Sequence, residues 1–200
     1  MIADPAPSNQ RADAKRSRAR LLEAAAAAFA QTQSPTFKDI AKAAGVGIGT
    51  LYRHFPTREA LVEAVYRAEL DHLCDSTQEL LAALPADEAL REWMGRYSTF
   101  VATKRGMADA LQSLIATGTV TKSETGPRLT AAIQSILDAG RATGTLRADI
   151  PAGDVTAALT GTLLVAGSSD QQDQAQRLLD LLMDGLTAPP RRDSPTGRSG

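Results

Sequence analysis

Glycine takes every second position at 45, 47 and 49 in the stretch IAKAAGVGIGTLYRHF, residues 40–55, with helix-forming residues on both sides. Few local structures accept that punctuation. A phosphate-binding loop of the G-x-G-x-x-G kind needs a strand before it, a third glycine one residue later and an acid about 20 residues on. Here a helical pattern precedes the glycines and the spacing fails. Two short helices that cross steeply have other needs: a small residue where they touch, a residue that accepts positive φ at the turn, and apolar residues that lock the pair. Ala41, Gly45 and Leu51 stand in those roles, with Ile40, Ala44 and Val46 completing the contact. Gly47 can cap the second helix, and Gly49 lets backbone come close to DNA or to the first helix. The stretch therefore reads as a helix-turn-helix.

Elsewhere apolar residues recur with the helical period, and nowhere do β-branched residues alternate with period two. Leu21, Leu22, Ala25, Ala28 and Phe29 mark a first helix behind the basic run Lys15, Arg16, Arg18 and Arg20. Thr36, followed by Asp39, has the spacing of a capping box and opens a short second helix. Pro56 stops the segment that follows, and Thr57 can cap a long helix running to Leu84, before Pro85. Gly106 divides the stripe from Leu90 to Val101 from Met107, Leu111, Leu114 and Ile115. A further helix carries Leu129, Ile133, Ile136 and Leu137. Two last helices, over about 153–166 and 171–186, are joined by the polar GSSDQQ. The chain is thus expected to be all-α, with a helix-turn-helix head at 13–58, a helical body at 59–188, and polar, proline-bearing tails at 1–12 and 189–200.

The chain has 200 residues, 43% of them hydrophobic and 22% charged, enough for a core with a small attached domain. The longest apolar run, Ala24 to Ala30, is too short to span a bilayer. MIADPAPSNQ lacks the apolar centre of a secretory signal, so a cytoplasmic protein without a membrane partner is expected. Cys74, the only cysteine, rules out an internal disulfide and a cysteine-based zinc site. With two histidines, His54 and His72, and no metal spacing or paired carboxylates, no catalytic residue, metal or cofactor is expected. Net charge is −1, but it is unevenly placed. Through Arg58 there are nine Lys/Arg against four acids; after it, 13 against 19. A basic head on an acidic body suggests that the head meets a polyanion.

RLLEAAAAAFA followed by IAKAAGVGIGTLYRHFPTREALVEAV is similar to the amino-terminal domain of TetR-type transcriptional regulators, from about Arg16 to Val65. The resemblance implies an all-helical, dimeric, ligand-sensing repressor bound to double-stranded operator DNA. Its recognition helix would span about Ile48 to His54, with Leu51 and Phe55 facing inward. Ile48, Gly49, Thr50, Tyr52, Arg53 and His54 are then left to choose between groove and solvent. Tyr52 can bond a phosphate or pack on a thymine methyl, Thr50 can reach a phosphate or base edge, and Arg53 a guanine or only the backbone. His54 resembles a phosphate contact, with a partly buried cap near Pro56 as the alternative. Arg58 is favoured as a phosphate contact at the start of the long helix; Thr36 and Lys38 can act likewise at the second helix. Arg18, within the basic run, lies where family members reach backbone or minor groove.

In the body, Trp93, Met94, Tyr97, Phe100, Met107, Leu111 and Ile133 can be plain core. The resemblance makes them candidate lining for a small apolar effector. Val155, Ala158, Leu159, Thr162 and Val165, with Leu178, Leu179, Leu182 and Leu186, offer more apolar face than one body needs. They are expected to form a four-helix bundle in a homodimer, which calls for a palindromic operator. The alternative is a dimeric DNA-binding or interaction protein that senses no small molecule.

Overall fold

The computed structural model of the chain describes residues 7–32, 34–120, 122–165 and 172–188. Among these, nine α-helices follow in order: α1 Pro7–Gln31, α2 Phe37–Ala43, α3 Ile48–His54, α4 Arg58–Ala83, α5 Ala86–Gly106, α6 Ala108–Ala116, α7 Lys122–Thr143, α8 Ala152–Val165 and α9 Gln172–Leu186. Apart from an isolated antiparallel bridge between Leu146 and Thr187, no β-structure forms among the described residues. No helix among them is long and apolar enough to cross a membrane. Helix α1 begins inside the tail expected over residues 1–12. Proline suits a first helical position, where a missing N–H costs nothing, and the alanines and arginines that follow are strong helix formers.

Two compact units form: Met1–Ser76 with Gly95–Leu129, and Thr77–Met94 with Thr130–Gly200. The division crosses α4, α5 and α7 and does not fall between residues 58 and 59, where the sequence suggests a boundary. A close approach lies within the first unit. A Cβ on Gly106 would stand 1.9 Å from the carbonyl oxygen of Phe29, so the corner between α5 and α6 seats on the backbone of α1 only because residue 106 is glycine. Helix α4 is tied into the same unit by three bonds. The Tyr66 and Thr125 hydroxyls lie 2.6 Å apart, Arg67 donates to the Thr119 carbonyl at 3.1 Å, and Arg128 donates to Asp71 at 2.8 Å.

The core of the head is built from the faces that the helical period predicts. Leu21, Ala25 and Phe29 of α1, Ile40 and Ala41 of α2, Leu51 of α3, Phe55, and Leu61, Val62 and Val65 of α4 are all buried. Each large side chain so placed stabilises the fold by about 1.5–3 kcal/mol relative to exposure. In the second unit α8 packs on α9. Arg91 of α5 pairs with Asp180 of α9. The Arg147 amide donates to Leu186 and the Ala188 amide to Thr145, both at 2.9 Å, anchoring the end of α9 to the turn before α8. Cys74 is half-buried in α4, where burial pushes its thiol pKa up, in keeping with a packing residue.

Candidate nucleic-acid interface

Helix α2 is opened by Thr36, whose hydroxyl accepts from the Asp39 amide at 3.2 Å and donates to the Asp39 carboxylate at 2.6 Å. The helix closes on Gly45, at φ +65°. The Gly45 amide donates to Lys42 O and the Val46 amide to Ala41 O, at 3.2 and 3.0 Å, which satisfies the last carbonyls of α2 while reversing the chain. A side chain at residue 45 would be strained by its backbone angle, since L-residues avoid that region by about 1–2 kcal/mol. Gly47, extended at φ −69° and ψ 146°, caps α3, so α3 starts three residues after α2 turns back. Two of the three alternating glycines therefore build the turn. At Gly49 an added Cβ would meet nothing within 4 Å. The expected close approach of Gly49 to the first helix is absent, because that position faces solvent.

Helix α3 has two faces. Leu51 is buried, as is Phe55 just beyond it, while Ile48 and Tyr52 are 43% and 53% exposed, far more than an apolar residue serving only the core. Ile48 and Tyr52 are one helical turn apart and share a face. The Tyr52 ring lies 5.3 Å from that of Phe37 on α2, tilted by 52°. Arg53 is exposed and folds back along its own helix, donating to Gly49 O and to the Thr50 hydroxyl, each at 3.3 Å. Thr50 and His54 are half-buried, His54 with its ring 6.2 Å from Phe55. Lys38 and Lys42 stand exposed on α2. The Arg18 guanidinium lies 4.7 Å over the Phe55 ring, a cation–π contact that holds α1 to the end of α3.

Two expected phosphate contacts are engaged elsewhere. Arg58 is half-buried, donates to the Pro35 carbonyl at 2.9 Å and lies 5.4 Å over the Phe29 ring. It fastens the link before α2 to the start of α4. The Thr36 hydroxyl is spent on the cap of α2. Conversely, Phe37, which supports Tyr52, carries no local signal of that role; only the fold brings it to α3.

In the body, all seven candidate lining residues are buried. They do not fall in one unit, however. Trp93, Met94 and Ile133 belong to the second, whereas Tyr97, Phe100, Met107 and Leu111 belong to the first. In the first, Phe100 gathers Tyr97 and Tyr66, with ring centroids 6.2 and 5.8 Å away.

The expected dimer face needs correction. Val155, Leu159, Leu179 and Leu186 are buried within the chain itself, facing the core from α8 and α9. Ala158 is exposed, and Thr162, Leu178 and Leu182 are half-buried. The side chain of Val165 lies outside the described residues. The outward face instead carries Leu164 and Leu181, 67% and 66% exposed, beside Ala157, Ala158 and Gly161.

Residues 21–65 match the family model of bacterial regulatory proteins of the tetR family, and residues 85–188 match the model of the transcriptional regulator SbtR-like C-terminal domain. The HTH-type transcriptional repressor KstR2 of Rhodococcus jostii (strain RHA1) is 30% identical, aligning over 92% of this chain and 98% of that protein. The TetR transcriptional regulator SCO0520 from Streptomyces coelicolor is 45% identical in the superposition, which covers 86% of this chain and 98% of that one with a TM-score of 0.79. A TetR transcription regulatory protein from Mycobacterium vanbaalenii is 33% identical over 90% of this chain and 99% of its own, with a TM-score of 0.70.

Proposed function

The chain belongs to the TetR family of bacterial regulatory proteins, and from that premise we propose that it is a cytoplasmic homodimeric repressor which leaves a palindromic operator when a small apolar effector enters its body. That it is a DNA-binding transcriptional regulator and not an enzyme follows from the family itself. The observation that supports the DNA-facing half is the exposed face of α3, held out by a glycine turn on a head whose charge is positive while the rest of the chain is negative. Arg18, Lys38, Thr50, Arg53 and His54 are the proposed polar contacts, mostly to phosphate, and Ile48, Gly49 and Tyr52 the proposed surface against the groove. The exposed leucines of α8 and α9 support the dimer. A twofold dimer presents two heads, hence half-sites one helical turn or a multiple apart.

A second reading has an observation of its own. Full burial of all seven candidate lining residues is also what a solid core gives, and a body of that kind dimerises without sensing. One pair of experiments separates the readings. Binding to duplex DNA should weaken with salt, log affinity falling by about 0.9 per neutralised phosphate per decade of salt; an affinity independent of salt removes the DNA-binding reading. A compound found to bind the body should weaken operator binding by roughly 5- to 150-fold, with the operator weakening that compound by the same factor. Equal compound affinity with and without operator leaves the dimeric, non-sensing protein.

A further inference from the structure

The outward edge of α3 is poor in the groups that usually read bases. Gly49 supplies no side chain, Thr50 is half-buried, and Arg53 folds back along α3 onto Gly49 O and the Thr50 hydroxyl. What remains outermost is Ile48 and the Tyr52 ring, and the ring is braced from behind by Phe37. The helix that carries Phe37 also carries the exposed Lys38 and Lys42, cations that would draw in a polyanion. In the major groove each base pair shows hydrogen-bonding atoms, and the thymine C5-methyl is the apolar feature among them. Resting on the DNA-binding reading, we propose that Ile48 and Tyr52 select sequence by packing on thymine methyl groups, and that Phe37 is a positioning residue which sets the Tyr52 ring for that contact. Discrimination then comes from the loss of water around a methyl and two side chains, not from a bidentate hydrogen-bonded pair.

The test replaces thymine by deoxyuridine, which deletes the methyl and leaves the hydrogen-bonding edge intact. The full-length protein is used to select tight binders from a random duplex pool. The tightest duplex is then resynthesised with each thymine exchanged in turn, and affinities are compared by fluorescence anisotropy at one salt concentration. At one or two positions in each half-site the uracil duplex should bind roughly fourfold more weakly, the factor expected for one methyl-sized group left unburied. Ile48→Ala or Tyr52→Ala, both at exposed positions, should bind the thymine and uracil duplexes alike at the matching position. Tyr52→Phe should keep the discrimination, since the ring and not the hydroxyl makes the contact. Phe37→Ala should lessen it and Phe37→Leu restore part of it. Sequence-selective binding with no uracil effect at any position overturns the proposal and leaves the DNA-binding reading standing, as does a Tyr52→Phe protein blind to the methyl. Recovery of no duplex at all overturns the DNA-binding reading, and this proposal with it.

Discussion

The Arg58 guanidinium donates to the Pro35 carbonyl across 2.9 Å, joining the first residue of α4 to the link that leads into α2. A charged donor on a half-buried carbonyl is worth roughly 1.5–3 kcal/mol, and the Phe29 ring beneath it adds a cation–π contact. Arg58→Ala should therefore lower stability by about 2–3 kcal/mol, read by chemical denaturation. It should also weaken binding to every DNA sequence through a loosened head. The salt slope should match that of the wild type. A slope shallower by about 0.9 would show a lost phosphate contact instead.

Leu164 and Leu181 stand outward from helices whose other leucines are buried or half-buried. Leu164→Glu with Leu181→Glu should convert a dimer to a monomer in sedimentation at micromolar concentration while helical content is retained. Leu159→Ala should do the reverse. It leaves the outward face intact and costs about 2–5 kcal/mol of stability, because the residue lies in the core of its own chain.

Gly106→Ala would push a methyl group into backbone, not into a side chain that can turn aside. The fold must shift or lose the contact. A cost above the 1–3 kcal/mol typical of overpacking is expected, together with weaker DNA binding as α1 loses its seat. Gly95→Ala, at a position in the same helix with open space around it, serves as the control and should be neutral or slightly stabilising.

Burial holds the Glu69 carboxyl above its ordinary pKa, with the neighbouring His72 offsetting part of the rise. An acid whose folded pKa is raised contributes stability while protonated. That contribution is full below the unfolded value and is lost as pH rises through the folded one. Glu69→Gln should leave Tm near that of the wild type at pH 4 and raise it at pH 7. The group is only half-buried, so the gain should be small, roughly 1–2 °C.

What is legible in the sequence is what one segment decides alone. The turn at Gly45, the caps Thr36 and Thr57, and the break at Gly106 each follow from a few adjacent residues, and all stand in the structure. So do the inward Leu51 and Phe55, which the family resemblance implies and the structure buries. Pairings that span the chain are not legible: Phe37 with Tyr52, Arg58 with Pro35, Tyr66 with Phe100. The inward face of α8 is hidden for a different reason. From Val155 to Val165 that helix is made only of alanine, glycine, threonine, leucine and valine, so apolar residues ring it and periodicity chooses no side. Only packing against α9 reveals Leu159 as core and Leu164 as surface.

The seat of α1 on Gly106 also bears on how the molecule comes into being. Phe29 leaves the ribosome 77 residues ahead of Gly106, and at about 5–20 residues per second that is roughly 4–15 seconds of synthesis. Throughout that interval the nascent head has its own apolar core but lacks the corner that α1 rests upon. A DNA-binding surface complete in sequence by Arg58 is thus not fully supported until the chain has been made past α5.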